Sequence, residues 1–306
     1  MARWIEETFH PHWRVRLEAE RVLHEVKTAH QHLVIFANAT WGTVLMLDGV
    51  TQLTTADEFI YHEMMAHVPL MALAAPRRVL VVGGGDGGVL REVLKHPSVA
   101  RATLCEIDRA VIDLSLEHYP EIADGCFEDS RADIVIADGL EYVAETRERF
   151  DAIIVDSSEP IGPSAVLHTR EFFADCKRAL KSGGVLVTQN GLPFLLPEHL
   201  RATSEIFASL FKATSPYLCT KPCYFGGPFA LNWASDDKAL LEVPAATLAR
   251  RMAKRGIATR YYTPAVHLAA FALPGYVARA VEGALGGKGK ADARGGSRTR
   301  RRRGGI

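Results

Sequence analysis

Four stretches of this 306-residue chain bring together residue types that can do chemistry. The first is Gly83-Gly84-Gly85-Asp86-Gly87-Gly88. Glycines let a backbone turn tightly and approach a ligand closely. Glu106 follows 23 residues after Gly83, the spacing at which an acid takes the ribose hydroxyls of a nucleoside. The loop lacks the Lys-Ser/Thr of a phosphate-binding loop, so ATP fits poorly. Asp86 would repel a pyrophosphate, which disfavours NAD, and equally the carboxylate of a methionine moiety. It suits a ligand ending in a cation. The second stretch is Asp138-Gly139, where the acid either accepts from an adenine amino group or caps a helix. The third is Asp156-Ser157-Ser158-Glu159-Pro160-Ile161-Gly162-Pro163. Asp156 and Glu159, without Cys or His alongside, make a poor zinc site. Mg²⁺ would need phosphates for which no loop is evident. Two such acids suit an amine, one taking a proton and the other holding a distant ammonium. The fourth is Tyr61-His62. Singly, these two read as core residues as readily as ligand contacts, and so do Gln31, Gln189 and Tyr224.

Positioning these groups requires particular elements. Residues up to about 54 read as short strands with Asn38, Gly42 and Asp48-Gly49 as turn signals, and Asp48-Gly49 is a strong hairpin cue. Thr55 and Glu58 fit a capping box opening a helix that should stop near Val68, before Pro69. From Arg77 onward, apolar strand-like runs (Val79–Val82, Ala102–Ile107, Ile134–Ile136, Ala152–Val155, Val185–Val187) alternate with helical segments. That pattern predicts an α/β fold, a Rossmann-like doubly wound sheet of mostly parallel strands, behind a small N-terminal β domain. Strands over 213–218 and 229–234 should complete the sheet, at least one of them antiparallel. Ligands in such sheets sit at the carboxyl ends of the strands, where the first three stretches all fall. The expected division is a β domain over 1–56, a catalytic domain over 57–285 and a disordered basic tail over 286–306.

The formal net charge of zero hides an asymmetry: the tail from Gly286 holds eight Lys or Arg against one Asp, leaving the body with 28 basic and 35 acidic residues. The tail has too little apolar content to bury a core, and any contact with nucleic acid would be non-specific and through its arginines. An acidic body is compatible with a cationic substrate. No apolar run approaches a membrane span. Five cysteines without a CxxC pair, and an acidic rather than apolar start, lead us to expect reduced thiols in the cytoplasm.

Together, Asp48-Gly49-Val50-Thr51-Gln52, Asp57 to Met64, the Gly83–Gly88 loop, Glu106-Ile107-Asp108, Asp138-Gly139, Asp156 to Pro163, Gln189-Asn190-Gly191, Tyr224 to Gly227 and Arg260 to His267 resemble the polyamine aminopropyltransferases, the spermidine synthase family, in its bacterial branch. The likeness spans about residues 4–280. It implies transfer of a 3-aminopropyl group from decarboxylated S-adenosylmethionine, a co-substrate, to a diamine, usually putrescine. It also implies a homodimer or homotetramer, and requires neither metal nor redox cofactor. By this resemblance Gln31, Asp86, Glu106, Asp108, Asp138, Gly139 and Pro163 hold the donor or the methylthioadenosine product. Asp156 accepts the proton, and Tyr61, His62, Glu159, Gln189 and Tyr224 form the diamine site. The loop from Ser157 to about His168 is implied to close as a lid. Two positions depart from the family: Glu159 stands where Asp is usual, and Cys223 where Thr is usual. The alternatives are a methyltransferase of the same fold, a non-enzymatic polyamine- or RNA-binding protein, and an aminopropyltransferase preferring 1,3-diaminopropane or cadaverine.

Overall fold

The fold was obtained as a computed structural model, which describes residues 3–7, 9–158 and 162–285. Glu159, the side chain of Pro163 and the basic tail lie outside the described residues. Two antiparallel sheets open the chain: β1 (Arg3–Glu7) with β2 (Val15–Ala19), and the meander β3 (Arg21–Lys27), β4 (His32–Asn38), β5 (Gly42–Leu47), β6 (Val50–Thr54). The β5–β6 hairpin closes through Asp48 (φ 48°) and Gly49 (φ 77°), with Leu47 opposite Val50. Positive φ at both central residues is what a two-residue hairpin of matching twist demands, and Asp-Gly supplies it.

A seven-stranded sheet follows. Its parallel part is β7 (Arg78–Gly83), β8 (Arg101–Glu106), β9 (Ala132–Ile136), β10 (Phe150–Asp156) and β11 (Leu180–Gln189). The antiparallel strands β12 (Ala213–Thr220) and β13 (Pro228–Ser235) complete it in the order β12-β13-β11-β10-β7-β8-β9. The helices are α1 (Glu58–Ala72), α2 (Gly88–Leu94), α3 (Arg109–His118), α4 (Pro120–Ala123), α5 (Gly139–Glu145), α6 (Arg170–Ala179), α7 (Pro197–Leu210), α8 (Ala245–Arg255), α9 (Pro264–Ala270) and α10 (Gly275–Leu285). Val79 and Val81 pack with Met64, Val89 and Val93 of α1 and α2, while the alternate residues Leu80 and Val82 pack with Val143, Phe172 and Phe173 of α5 and α6. Both faces of β7 are therefore buried, which is why it reads as an unbroken apolar run. This is the doubly wound architecture expected from the strand–helix alternation. Among the described residues, no helix is long and apolar enough to cross a membrane.

Two local expectations fail around α1. Its N-cap is Asp57, without a side-chain capping bond, and no capping box forms. Thr55 Oγ1 instead accepts from Thr43 N (3.1 Å), and Glu58 turns to His62 and Arg91. The helix also runs through Pro69 to Ala72 rather than stopping at Val68. Nearly every residue of α1 is buried, and Arg251 and Arg255 of α8 donate to the carbonyls of Leu70, Met71, Ala72 and Leu73 at its end. Those tertiary contacts offset the ~3 kcal/mol that an interior proline costs.

Candidate active site

Strand order reverses between β7, whose sequence neighbours run outward to β9, and β10, which returns beside it. Gly83 and Asp156 lie opposite each other at the carboxyl ends of these two strands. A cavity of 370 Å³ opens there, at the switch point where doubly wound sheets bind ligands. It is lined by Gln31, Tyr61, His62, Asp86, Glu106, Asp138, Gly139, Asp156, Gln189 and Tyr224, groups that the sequence scatters over nearly two hundred residues.

One end of the cavity has the features of a nucleoside pocket. Glu106, at the end of β8, accepts from Gly85 N (3.1 Å) and Asp108 N (2.9 Å). Burial pushes its pKa up to about 7 against those backbone donors. Asp138 does cap α5, accepting from Leu140 N at 2.8 Å through Oδ1, and it also lines the cavity. Asp108 corrects the sequence reading, because it does not line the cavity. It is 4% exposed, caps α3, and accepts from Thr28 Oγ1 (2.8 Å) and Gln31 Nε2 (3.2 Å), so it braces Gln31 from behind.

The other end holds His62, Asp86 and Asp156. His62 has carboxylates at both ring nitrogens, Glu58 at 2.6 Å and Asp86 at 3.6 Å. Burial works against charging this ring, but Asp86 and then Glu58 outweigh it and raise its pKa to about 9. The same contact acts on Asp86: burial would raise its pKa, yet the His62 imidazolium and Gly88 N hold it below the ordinary aspartate value. Asp156 differs. Burial and then the charge of Asp86 push it up to about 6. Its Oδ1 accepts from Tyr61 OH at 2.6 Å, while Oδ2 is buried with no hydrogen-bond partner among the described residues. Unpaired buried carboxylate oxygens are costly, so this oxygen marks where a donor group is meant to arrive.

Gln189 lines the cavity, but Nε2 donates to Ser158 O (2.9 Å) and Oε1 accepts from Gly191 N (2.9 Å). It anchors the segment after Asp156. Tyr224 OH donates to Gln52 O at 2.5 Å, tying that ring to the β5–β6 hairpin. Sequence reasoning missed the apolar walls, Phe9, Leu45, Leu47, Val50, Ile107 and Phe229. An apolar residue type at these positions does not by itself distinguish a cavity wall from a core.

The glycine loop is needed for more than flexibility. Gly84 has φ 73°, and a Cβ there would stand 2.6 Å from Asp156 Oδ2. Gly84→Ala is expected to lose ~1–2 kcal/mol from the left-handed backbone, measurable by urea denaturation. It should also lower kcat by roughly tenfold, because the displaced carboxylate loses its alignment.

Two family models match the chain: "Spermine/spermidine synthase domain" over residues 58–243 and "Spermidine synthase tetramerisation domain" over residues 3–55. The chain belongs to the spermidine synthase family of polyamine aminopropyltransferases. It is 50% identical over 276 residues to polyamine aminopropyltransferase 1 of Pseudomonas aeruginosa, covering 90% of this chain and 96% of that one. It is 48% identical over 274 residues to the polyamine aminopropyltransferase of a Ruegeria species, with coverage of 90% and 96%. Among solved structures, a spermidine synthase in complex with the transition state analogue AdoDATO superposes with a TM-score of 0.87, 36% identity and coverage of 92% and 96%. The spermidine synthase of Thermotoga maritima superposes at 0.84, also with 36% identity, covering 92% of this chain and 95% of that one. In this spermidine synthase family member, the fold surrounds a cavity lined by Glu106 and Asp138 together with Asp86 and Asp156.

Proposed function

We propose that this aminopropyltransferase moves a 3-aminopropyl group from decarboxylated S-adenosylmethionine to a diamine, with putrescine as the principal acceptor, giving spermidine, methylthioadenosine and a proton. The observation that carries this reading is the pair Asp86 and Asp156 in the cavity that Glu106 and Asp138 also line, with Asp156 Oδ2 buried and unpartnered among the described residues. Glu106, Asp138, Gly139 and Gln31 hold the nucleoside, and Asp86 takes the ammonium that decarboxylation leaves on the donor. The acceptor nitrogen attacks the aminopropyl carbon next to the sulfonium. The new N–C bond forms as the C–S bond breaks, and its electrons return to sulfur. Asp156 takes the proton, with Tyr61 orienting its other oxygen. A base poised at about 6 is better matched to neutral pH than an ordinary aspartate. The sulfonium is a good leaving group, so positioning supplies most of the acceleration.

A methyltransferase of the same fold would have to place a substrate carboxylate beside Asp86, which the charge disfavours. The deciding assay supplies decarboxylated S-adenosylmethionine with diaminopropane, putrescine, cadaverine, agmatine or spermidine, and identifies the nucleoside product. Methylthioadenosine from this donor supports the function, and a parallel arm supplied with S-adenosylmethionine that yields S-adenosylhomocysteine instead refutes it. Assembly as a homodimer or homotetramer through the N-terminal sheets, and residence in the cytoplasm, belong to the same proposal. Its support is the match of residues 3–55 to a tetramerisation domain and five buried free cysteines.

Glu159 bears on the length of the acceptor. Its added methylene reaches roughly 1.3 Å further than the usual aspartate, which would shorten the slot toward 1,3-diaminopropane. We expect putrescine to remain preferred, because a lid segment can shift to absorb that length. Glu159→Asp is then expected to leave the diaminopropane-to-putrescine ratio of kcat/KM within about threefold, against the 10–200-fold that one methylene can command in a rigid slot.

A further inference from the structure

Lys221, in the turn after β12, is 2% exposed and belongs to none of the roles assigned above. Its ammonium lies 3.3 Å from Asp57 Oδ1, and Asp57 is also held by Thr54 Oγ1 (2.7 Å) and Cys223 N (2.7 Å). The same ammonium stands 5.9 Å from the centroid of the Tyr61 ring and 5.4 Å from that of Tyr224. Both rings line the cavity and Lys221 does not, so the cation sits behind the tyrosine wall of the acceptor end. A buried pair of this kind is a weak source of stability, since desolvating two charges costs about what their attraction returns. An apolar side chain would fill the space without that cost.

We propose that Lys221 is a positioning residue that sets the protonation balance of the acceptor end, resting on the aminopropyl-transfer reading above. A fixed cation behind two aromatic rings stabilises nearby carboxylates and disfavours a second cation in the same low-dielectric space. The acceptor must bind and then give up a proton before its nitrogen can attack. Lys221 makes that ammonium easier to deprotonate at the moment of reaction, at the expense of its initial binding.

The charged and titratable groups around it are consistent with this direction. From α1 and its N-terminus Asp57, Glu58 and Tyr61 face it, from its own turn Cys223 and Tyr224, and from β12 Cys219. Glu7 faces it indirectly, through Cys223. On the cavity side stand Asp86 and Asp156, whose pKa values its charge lowers, and the His62 imidazolium between Asp86 and Glu58. Asp57 balances the charge from behind, and the ammonium is the end of the pair that meets the rings.

The test is the pH dependence of kcat and of KM for the diamine, from pH 6 to 9 with saturating donor, in wild type, Lys221→Met and Lys221→Arg. Lys221→Met is expected to move the acid limb of kcat up by about 0.5–1 pH unit. Turnover at neutral pH then falls about 3–10-fold, while KM for the diamine falls or holds. Lys221→Arg should restore the wild-type limb. If Lys221→Met does not fold, Asp57→Asn/Lys221→Met buries no lone charge and should show the same alkaline displacement. An unmoved limb with a uniform loss of kcat, or a raised KM, would overturn the proposal by making Lys221 merely structural, and so would an equal displacement in Lys221→Arg. Wild type that forms no aminopropylated product overturns the aminopropyl-transfer reading, and this proposal with it.

Discussion

Asp156→Asn is expected to lower kcat by about 10²–10⁴-fold, the range for losing a general base, while methylthioadenosine binding stays within about twofold. The asparagine keeps an oxygen for Tyr61 OH, so the 2.6 Å contact can persist and the cavity keep its shape. What is lost is the charge on the buried oxygen that has no partner among the described residues. Stopped-time product assays with titration of methylthioadenosine separate the two effects, and turnover near wild type would remove Asp156 from the proton-accepting role. The wild-type enzyme carries a related pH signature. Burial and the charge of Asp86 raise the Asp156 pKa to about 6. Because the basic form is the carboxylate, activity governed by this group is present above that pH and lost as pH falls through it.

Asp86→Asn is expected to weaken the decarboxylated donor by about 10²–10³-fold, as for removing one partner of a buried charge pair, with methylthioadenosine much less affected. Only the donor carries an ammonium at that end. His62 keeps Glu58 at 2.6 Å, so the ring does not lose all of its anionic partners. Calorimetric titration of both ligands reads the difference, and equal losses would contradict the assignment. The same substitution removes the like charge facing Asp156. The Asp156 pKa should therefore drop, and the activity that remains at saturating donor should extend to lower pH than in wild type. The two aspartates thus have opposite signatures: one variant loses turnover with ligand binding intact, the other loses donor affinity and gains acid tolerance.

Much of this site could be read before any fold was known, for a local reason. A glycine run after an apolar strand, an acid at the next strand end and acids after a later strand all have their places set by short-range rules of strand, loop and helix. The Asp48-Gly49 hairpin is the clearest case, since the residue types themselves dictate the backbone angles. Other features were decided only by what the tertiary structure brings together. Asp108 is a donor contact by the resemblance, but Thr28 and Gln31, some eighty positions earlier, claim its oxygen. Gln189 belongs to the diamine site by the resemblance, and in the fold Ser158 O and Gly191 N occupy its amide. Thr55 and Glu58 spell a capping box, yet each finds a better partner in another element. Pro69 should end a helix, yet α8 supplies the donors that let it continue. Lys221 carries no local signal, and its partners are Asp57 and Tyr61, 164 and 160 positions earlier, and the ring of Tyr224. Hydrogen bonds and ion pairs between distant positions leave no periodicity or spacing in the sequence. Residue type and local order therefore determined which chemistry was present and at which strand ends, and packing alone decided which polar groups face the substrate and which hold the others in place.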